Sequence, residues 1–151
     1  MKTKSQPSLR GRALQALARR ELSRAELQGK LLPHVSETDD LAALLDDLQK
    51  RGWLSDARAA EQIVQIRSAR FGTQRITHEL RQKGISEELI NASIPLLKEG
   101  EFEAARTVWQ RKFAVPPQDQ KEKAKQVRFL QSRGFSMEVI FKVMRISDQE
   151  E

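Results

Sequence analysis

Apolar residues recur along this chain at three- and four-residue spacing, the mark of helices with one buried stripe. Leu9, Ala13, Leu14 and Leu17 define a first helix over residues 8–21. Ser23 and Glu26 then form a capping box, in which the serine oxygen accepts an early helix N–H and the glutamate reaches back. Leu27 and Leu31 continue that stripe until Pro33 closes it. The run from Ser36 to Asp39 starts a third helix, with Leu41, Leu44, Leu45 and Leu48 as its core face and Gly52 as its stop. The order then repeats. Ser55 and Asp56 open a helix carrying Ala59, Ala60, Ile63, Val64 and Ile66, and Gly72 ends it. Thr73 caps the next, with Ile76 and Leu80 as its stripe, and Gly84 stops it. Ser86 opens a helix with Leu89, Ile90, Ile94 and Leu97, which Pro95 should bend or shorten. A further unit opens near Gly100 with Phe102, Ala105, Val108, Trp109 and Phe113. After Pro116-Pro117, Asp119 caps a long basic helix ending at Gly134, and Val139, Ile140, Val143 and Met144 finish the pattern. No stretch alternates as a strand would.

The order repeats at a fixed interval. Val35-Ser36, Ile85-Ser86 and Phe135-Ser136 are 50 residues apart, each followed closely by an acid: Glu37, Glu87, Glu138. Ser23 and Thr73, and Arg20 and Arg70, keep the same spacing. Such a period marks stacked helical units, none of which buries its apolar face alone. The predicted fold is all-α: three tandem three-helix repeats, 8–52, 53–98 and 99–146, in an elongated, curved array. Residues 1–7 and 147–151 are read as tails. The third repeat departs from strict period at its front, where one extra helical turn, 119–122, absorbs the shift.

Charge sharpens the picture. The net charge is +6, and residues 1–33 alone hold eight Lys/Arg against two Glu. Residues 67–83 hold five basic residues against one Glu. Clustered positive charge suits nucleic acid or an acidic protein surface, and it also aids solubility. There are no cysteines, which excludes disulfides and thiolate metal sites. No apolar run reaches the length of a membrane span, and the N-terminus lacks a signal-peptide core. A cytoplasmic location is expected.

Catalytic chemistry finds no footing in the pattern. His34 and His78 stand alone, and neither a phosphate loop nor a nucleophile elbow is present. Neither a metal nor another cofactor is expected, nor a small-molecule substrate, and the protein reads as a non-enzyme. Asp46-Asp47 is accounted for by helix-dipole complementarity and solubility. Arg51, Lys83 and Arg133 precede Gly52, Gly84 and Gly134, where a cation suits the last helical turn. Trp53, Trp109 and the phenylalanines fall mostly on apolar stripes and are assigned to core packing.

The candidate binding residues are therefore basic. Arg67 and Arg70 lie on or near an apolar stripe, where they either snorkel to water, pair with carboxylates, or face a partner. Arg75, Arg81 and Lys83 lie close by in sequence. Lys121, Lys125 and Arg128 share a helix face, either solvated or tracking phosphates. Arg19, Arg20 and Arg24 form a third group near the N-terminus.

Several of these segments resemble the RecX family. The resemblance is carried by Arg51-Gly52-Trp53-Leu54-Ser55-Asp56, Arg70-Phe71-Gly72-Thr73-Gln74-Arg75-Ile76 and Glu79-Leu80-Arg81-Gln82-Lys83-Gly84-Ile85. Ser23-Arg24-Ala25-Glu26-Leu27 and Phe129-Leu130-Gln131-Ser132-Arg133-Gly134-Phe135 extend it over roughly residues 9–145. It implies three tandem three-helix repeats and a negative regulator of RecA. Such a regulator lies in the groove of the RecA–single-stranded DNA filament and inhibits ATP hydrolysis, strand exchange and SOS repressor cleavage. DNA phosphates would then be weak, non-specific contacts, and the protein a monomer. A stand-alone, non-specific DNA-binding helical module is the alternative function.

Overall fold

The computed structural model of the chain describes residues 6–149, so part of each predicted tail, 1–5 and 150–151, lies outside the described residues. Among the described residues every regular element is helical: α1 (Leu9–Arg19), α2 (Arg24–Leu31), α3 (Leu41–Lys50), α4 (Asp56–Arg67), α5 (Thr73–Gln82), α6 (Glu87–Lys112), α7 (Gln120–Ser132) and α8 (Met137–Gln149). A short 3₁₀ turn, Leu32–His34, follows α2. Most of the predicted caps form. Ser23 and Glu26 make a complete capping box, and Ser86 and Asp119 accept N–H bonds at the starts of α6 and α7; Ser8, which the sequence pattern did not mark, does the same at α1.

Three local expectations are corrected. The third helix begins at Leu41 and is capped by Asp40, because Asp39 is spent on the Ser36 backbone and hydroxyl. Thr73 does not cap α5, for its buried hydroxyl has no hydrogen-bond partner. Pro95 and Gly100 do not separate two helices; both lie inside α6. Pro95 leaves one backbone bond unmade without ending the helix, and Gly100 stays out of the left-handed conformation that stops Gly52, Gly84 and Gly134.

The contacts divide the chain into two compact units. The first comprises the chain to Gln62 together with Lys83–Ile85, and the second Ile63–Gln82 with everything from Ser86 onward. In the first, α1, α2 and α3 pack around Ala13, Leu22, Leu27, Leu31, Leu45, Leu48 and Leu54. In the second, α6 packs against α5, α7 and α8, with Trp109, Leu130, Phe135, Ile140 and Val143 at the centre of one cluster. Trp109 donates its indole N–H to the buried Gln126 side chain at 2.8 Å, so the polar edge of this core ring is matched.

One joint occurs in both units, displaced by the sequence period. In the first, the Ser23 hydroxyl donates to the Lys83 carbonyl at 2.5 Å, and the backbone of Gly84 comes against Ala25. In the second, the Gly72 N–H donates to the Arg133 carbonyl at 2.8 Å, and Gly134 comes against Arg75. Ser23 and Thr73, Ala25 and Arg75, Lys83 and Arg133, and Gly84 and Gly134 are all 50 residues apart. Gly84 and Gly134 have φ of +76° and +89°, and a Cβ on either would sit 2.5 and 2.4 Å from the Cβ opposite. Only glycine meets both the left-handed turn and the close approach. In the second joint the Arg133 carbonyl takes a backbone N–H, which leaves the Thr73 hydroxyl without the partner that Ser23 has.

Candidate functional site

The basic residues divide by whether the fold has already neutralised them. Arg24 donates to Asp46 at 2.6 Å and to Gln49 at 2.5 Å, so it braces α2 against α3. Arg10 and Arg51 both donate to Asp47 at 2.9 Å. The Arg10 guanidinium, then that of Arg51, holds the Asp47 carboxyl below its ordinary value. Asp46 and Asp47 are thus partners of specific arginines, beyond the dipole role read from the sequence. The same two arginines lie 5.7 and 5.3 Å from the centre of the Trp53 ring, which is 45% exposed. Trp53 is therefore a surface residue held by cations, where core packing was expected; Ile66 and Leu14 are likewise exposed.

The middle group shows the same mixture. Arg67 donates to Glu79 at 3.0 Å, and Arg81 makes two bonds to Glu87, at 2.6 and 3.2 Å. That pair holds the Glu87 carboxyl down and raises Arg81. Both partners are well exposed, so the pair is worth little to stability. Arg75 lies 4.2 Å from the centre of the Phe71 ring and donates to the Ser132 carbonyl at 3.3 Å. Arg133 approaches the same ring at 5.4 Å. Lys83 is within 3.9 Å of Glu26. Arg70 is exposed and takes part in no ion pair among the described residues. Arg70, Arg75 and Arg81 are thus all exposed, with the Arg81 charge met by Glu87, whereas Arg67 is half-buried.

Lys121, Lys125 and Arg128 are exposed along α7, as their spacing requires, and none is ion-paired among the described residues. At the other end of the chain, Arg20 donates to Glu26 at 3.0 Å, while Arg19 has no such partner. Arg19 and Arg20 lie in a cleft of about 440 Å³ with Arg12, Lys30 and His34. Sequence spacing had grouped Arg19 and Arg20 with Arg24, but Arg24 turns to α3 and does not line the cleft.

Glu101 is a functional-looking residue that the sequence analysis did not single out. It is 6% exposed, and its carboxylate accepts the backbone N–H groups of Thr73 and Ser136, both at 3.3 Å. These groups open α5 and α8, so the charge faces two helix N-termini. Its position was legible: Glu101 stands four residues after Leu97 and four before Ala105, on the buried stripe. Its contacts are backbone groups of other elements, so its role is to hold α5 and α8 on α6. Among the described residues no group of three or more His, Cys, Asp or Glu side chains could hold a metal, and no helix is long and apolar enough to cross a membrane.

Fold and surface together define an all-helical repeat protein with exposed cations on several of its helices. Residues 55–94 match the second three-helix domain of RecX, and residues 99–144 match the third. The regulatory protein RecX of Leptothrix cholodnii is 48% identical over 145 residues, covering 96% of this chain and 92% of that one. The regulatory protein RecX of Ralstonia nicotianae is 43% identical over 141 residues, covering 93% and 89%. Among solved structures, RecX from Lactobacillus salivarius superposes with a TM-score of 0.77 at 20% identity, covering 93% and 95%, a likeness of fold. The chain belongs to the RecX family of regulatory proteins.

Proposed function

We propose that this protein is a negative regulator of RecA that acts as a monomer in the cytoplasm. It binds the RecA–single-stranded DNA filament in its groove and inhibits ATP hydrolysis, strand exchange and cleavage of the SOS repressor. Three repeats, 8–52, 53–98 and 99–146, provide the binding surface. The observation that carries this is the family membership, which spans 96% of the chain in the Leptothrix relative. The surface chemistry supports it, because the exposed charge is spread over several helices and suits an extended anionic partner.

Arg67, Arg70, Arg75 and Arg81 are assigned to the partner surface of the middle repeat. The double variant Arg75→Ala/Arg81→Ala tests this. Losing two charge-assisted contacts, at about 1 kcal/mol each, should weaken inhibition of RecA about tenfold or more while thermal stability holds. A stable double variant with unchanged inhibition would remove these residues from the surface. The competing function, a stand-alone DNA-binding module, is separated by comparing affinities for bare DNA and for filament at two salt concentrations. Binding through phosphates alone falls steeply with salt. Equal affinity for both targets with equal salt dependence would favour the module.

A further inference from the structure

The cleft beside α1 carries a charge pattern unlike the rest of the surface. Arg12, Gln15, Arg19 and Arg20 project into it from α1 and its end, Lys30 from the last turn of α2, and His34 from the 3₁₀ turn. Elsewhere in the first unit arginines are matched by acids: Arg10 and Arg51 by Asp47, Arg24 by Asp46, Arg58 by Glu21. In the cleft Arg20 has Glu26, and Arg12, among the described residues, has the side-chain carbonyl of Gln6. Arg19, Lys30 and His34 take part in no ion pair among the described residues, and no carboxylate lines the cleft. A matched arginine must give up its carboxylate before it can hold another anion. Among the described residues Arg19 and Lys30 have no carboxylate to give up.

The lining also selects the kind of anion. Apart from the Gln15 carbonyl and the His34 ring, its polar side chains are donors only. A phosphate presents acceptors only, and guanidinium forks fit it with two bonds. Arg12 and Arg19 are two helical turns apart, about 10 Å along the axis, so more than one phosphate oxygen can be met. Ala16 leaves the floor between them low.

We propose that this cleft is a phosphate-binding site, with Arg19 and Lys30 as its principal contacts. The phosphate comes either from a nucleic-acid backbone or from a free phosphate compound. The assignment rests on the filament reading only for the choice between these two sources.

The test uses the full chain with no recombinase present, so it can fail while filament inhibition stands, and the reverse. The ¹⁵N-labelled protein is titrated with pyrophosphate, with an oligothymidylate, and with a polyglutamate peptide. Saturable amide shifts at Arg19, Lys30 and His34 are expected with both phosphate probes, each displacing the other. Tighter binding of oligothymidylate identifies a backbone phosphate, and tighter binding of pyrophosphate a free phosphate compound; either supports the site. In Arg19→Gln/Lys30→Gln, affinity for both should fall about tenfold or more. The salt slope for oligothymidylate should drop by about 1.4, the counterion release of two contacts. Circular dichroism checks the fold, and if the double variant unfolds, Lys30→Gln alone should lose roughly half of that slope change. Stronger shifts with polyglutamate, shifts centred on α7, or unchanged affinity in a folded variant would overturn the proposal.

Discussion

The close approach of Gly84 to Ala25 gives a test of the repeated joint in which geometry sets the magnitudes. Gly52 and Gly84 share one backbone conformation, φ +76°, but differ in surroundings. Nothing lies within 4 Å of a Cβ added at Gly52, whereas one added at Gly84 meets the Ala25 Cβ at 2.5 Å. Left-handed strain should cost each alanine variant about 1–2 kcal/mol. Carbon pairs prefer about 3.5–4.0 Å, so Gly84→Ala must also push the joint open by an ångström or more. Overpacking of that kind costs about 1–3 kcal/mol. The strained Ser23–Lys83 bond would add up to about 1 more. Gly84→Ala is therefore predicted to lose about 2–6 kcal/mol where Gly52→Ala loses about 1–2. The diagnostic variant is Gly84→Ala/Ala25→Gly. Ala25→Gly alone costs about 1 kcal/mol of helix propensity, but in the double variant it removes the collision. The pair should be coupled by about 1–3 kcal/mol, leaving the double variant no less stable than Gly84→Ala. Urea unfolding of the four proteins measures this, through midpoints at constant slope. Additivity within about 0.5 kcal/mol, or equal losses at Gly52 and Gly84, would refute the argument.

Three further outcomes follow from the same structure. Glu101→Gln keeps an acceptor but removes the charge facing α5 and α8, and should cost about 1–3 kcal/mol; Glu101→Ala strands two half-buried N–H groups and should cost more, with thermal denaturation expected to rank wild type, Gln, Ala. Because Arg10 and Arg51 hold Asp47 below its ordinary value of 3.8, the unfolded chain binds the proton more readily. The contribution of Asp47 is complete above that value and is lost as pH falls through the lower, folded one, so Asp47→Asn should lower stability near neutrality and flatten its decline in acid, as followed by urea midpoints across the acid range. Gly100→Ala, inside α6 with nothing within 4 Å of the added carbon, should stabilise by about 0.5–1 kcal/mol, read as a raised melting temperature.

The periodic stripes carried the helices, and the serine or aspartate caps and glycine stops carried many of their ends, because both depend on near neighbours in the chain. Where a boundary depended on distant partners the pattern misled. Thr73 looks like Ser23 in sequence, but the helix ladder starts one residue earlier, where the Gly72 carbonyl accepts the Ile76 N–H, so Thr73 lies inside α5 and its hydroxyl stays unpartnered. Pro95 and Gly100 read as a break, yet α6 continues because packing against α5, α7 and α8 outweighs one missing backbone bond and weak propensity. The candidate site was legible as composition and only partly as geometry. Helix spacing placed Lys121, Lys125 and Arg128 together. It could not show that Arg24 turns to Asp46, that Arg81 is held by Glu87, or that Lys30 and His34 join Arg19 in one cleft. Those pairings close across turns and between helices, where spacing along a single helix gives no information.

The central claim is that the protein acts on RecA assembled on single-stranded DNA. The direct measurement is the ATPase rate of RecA on saturating single-stranded DNA as this protein is added. The account predicts that the rate falls at amounts well below one per RecA protomer, and that further DNA does not restore it. A rate unchanged at equimolar protein, or inhibition relieved in proportion to added DNA, would contradict it.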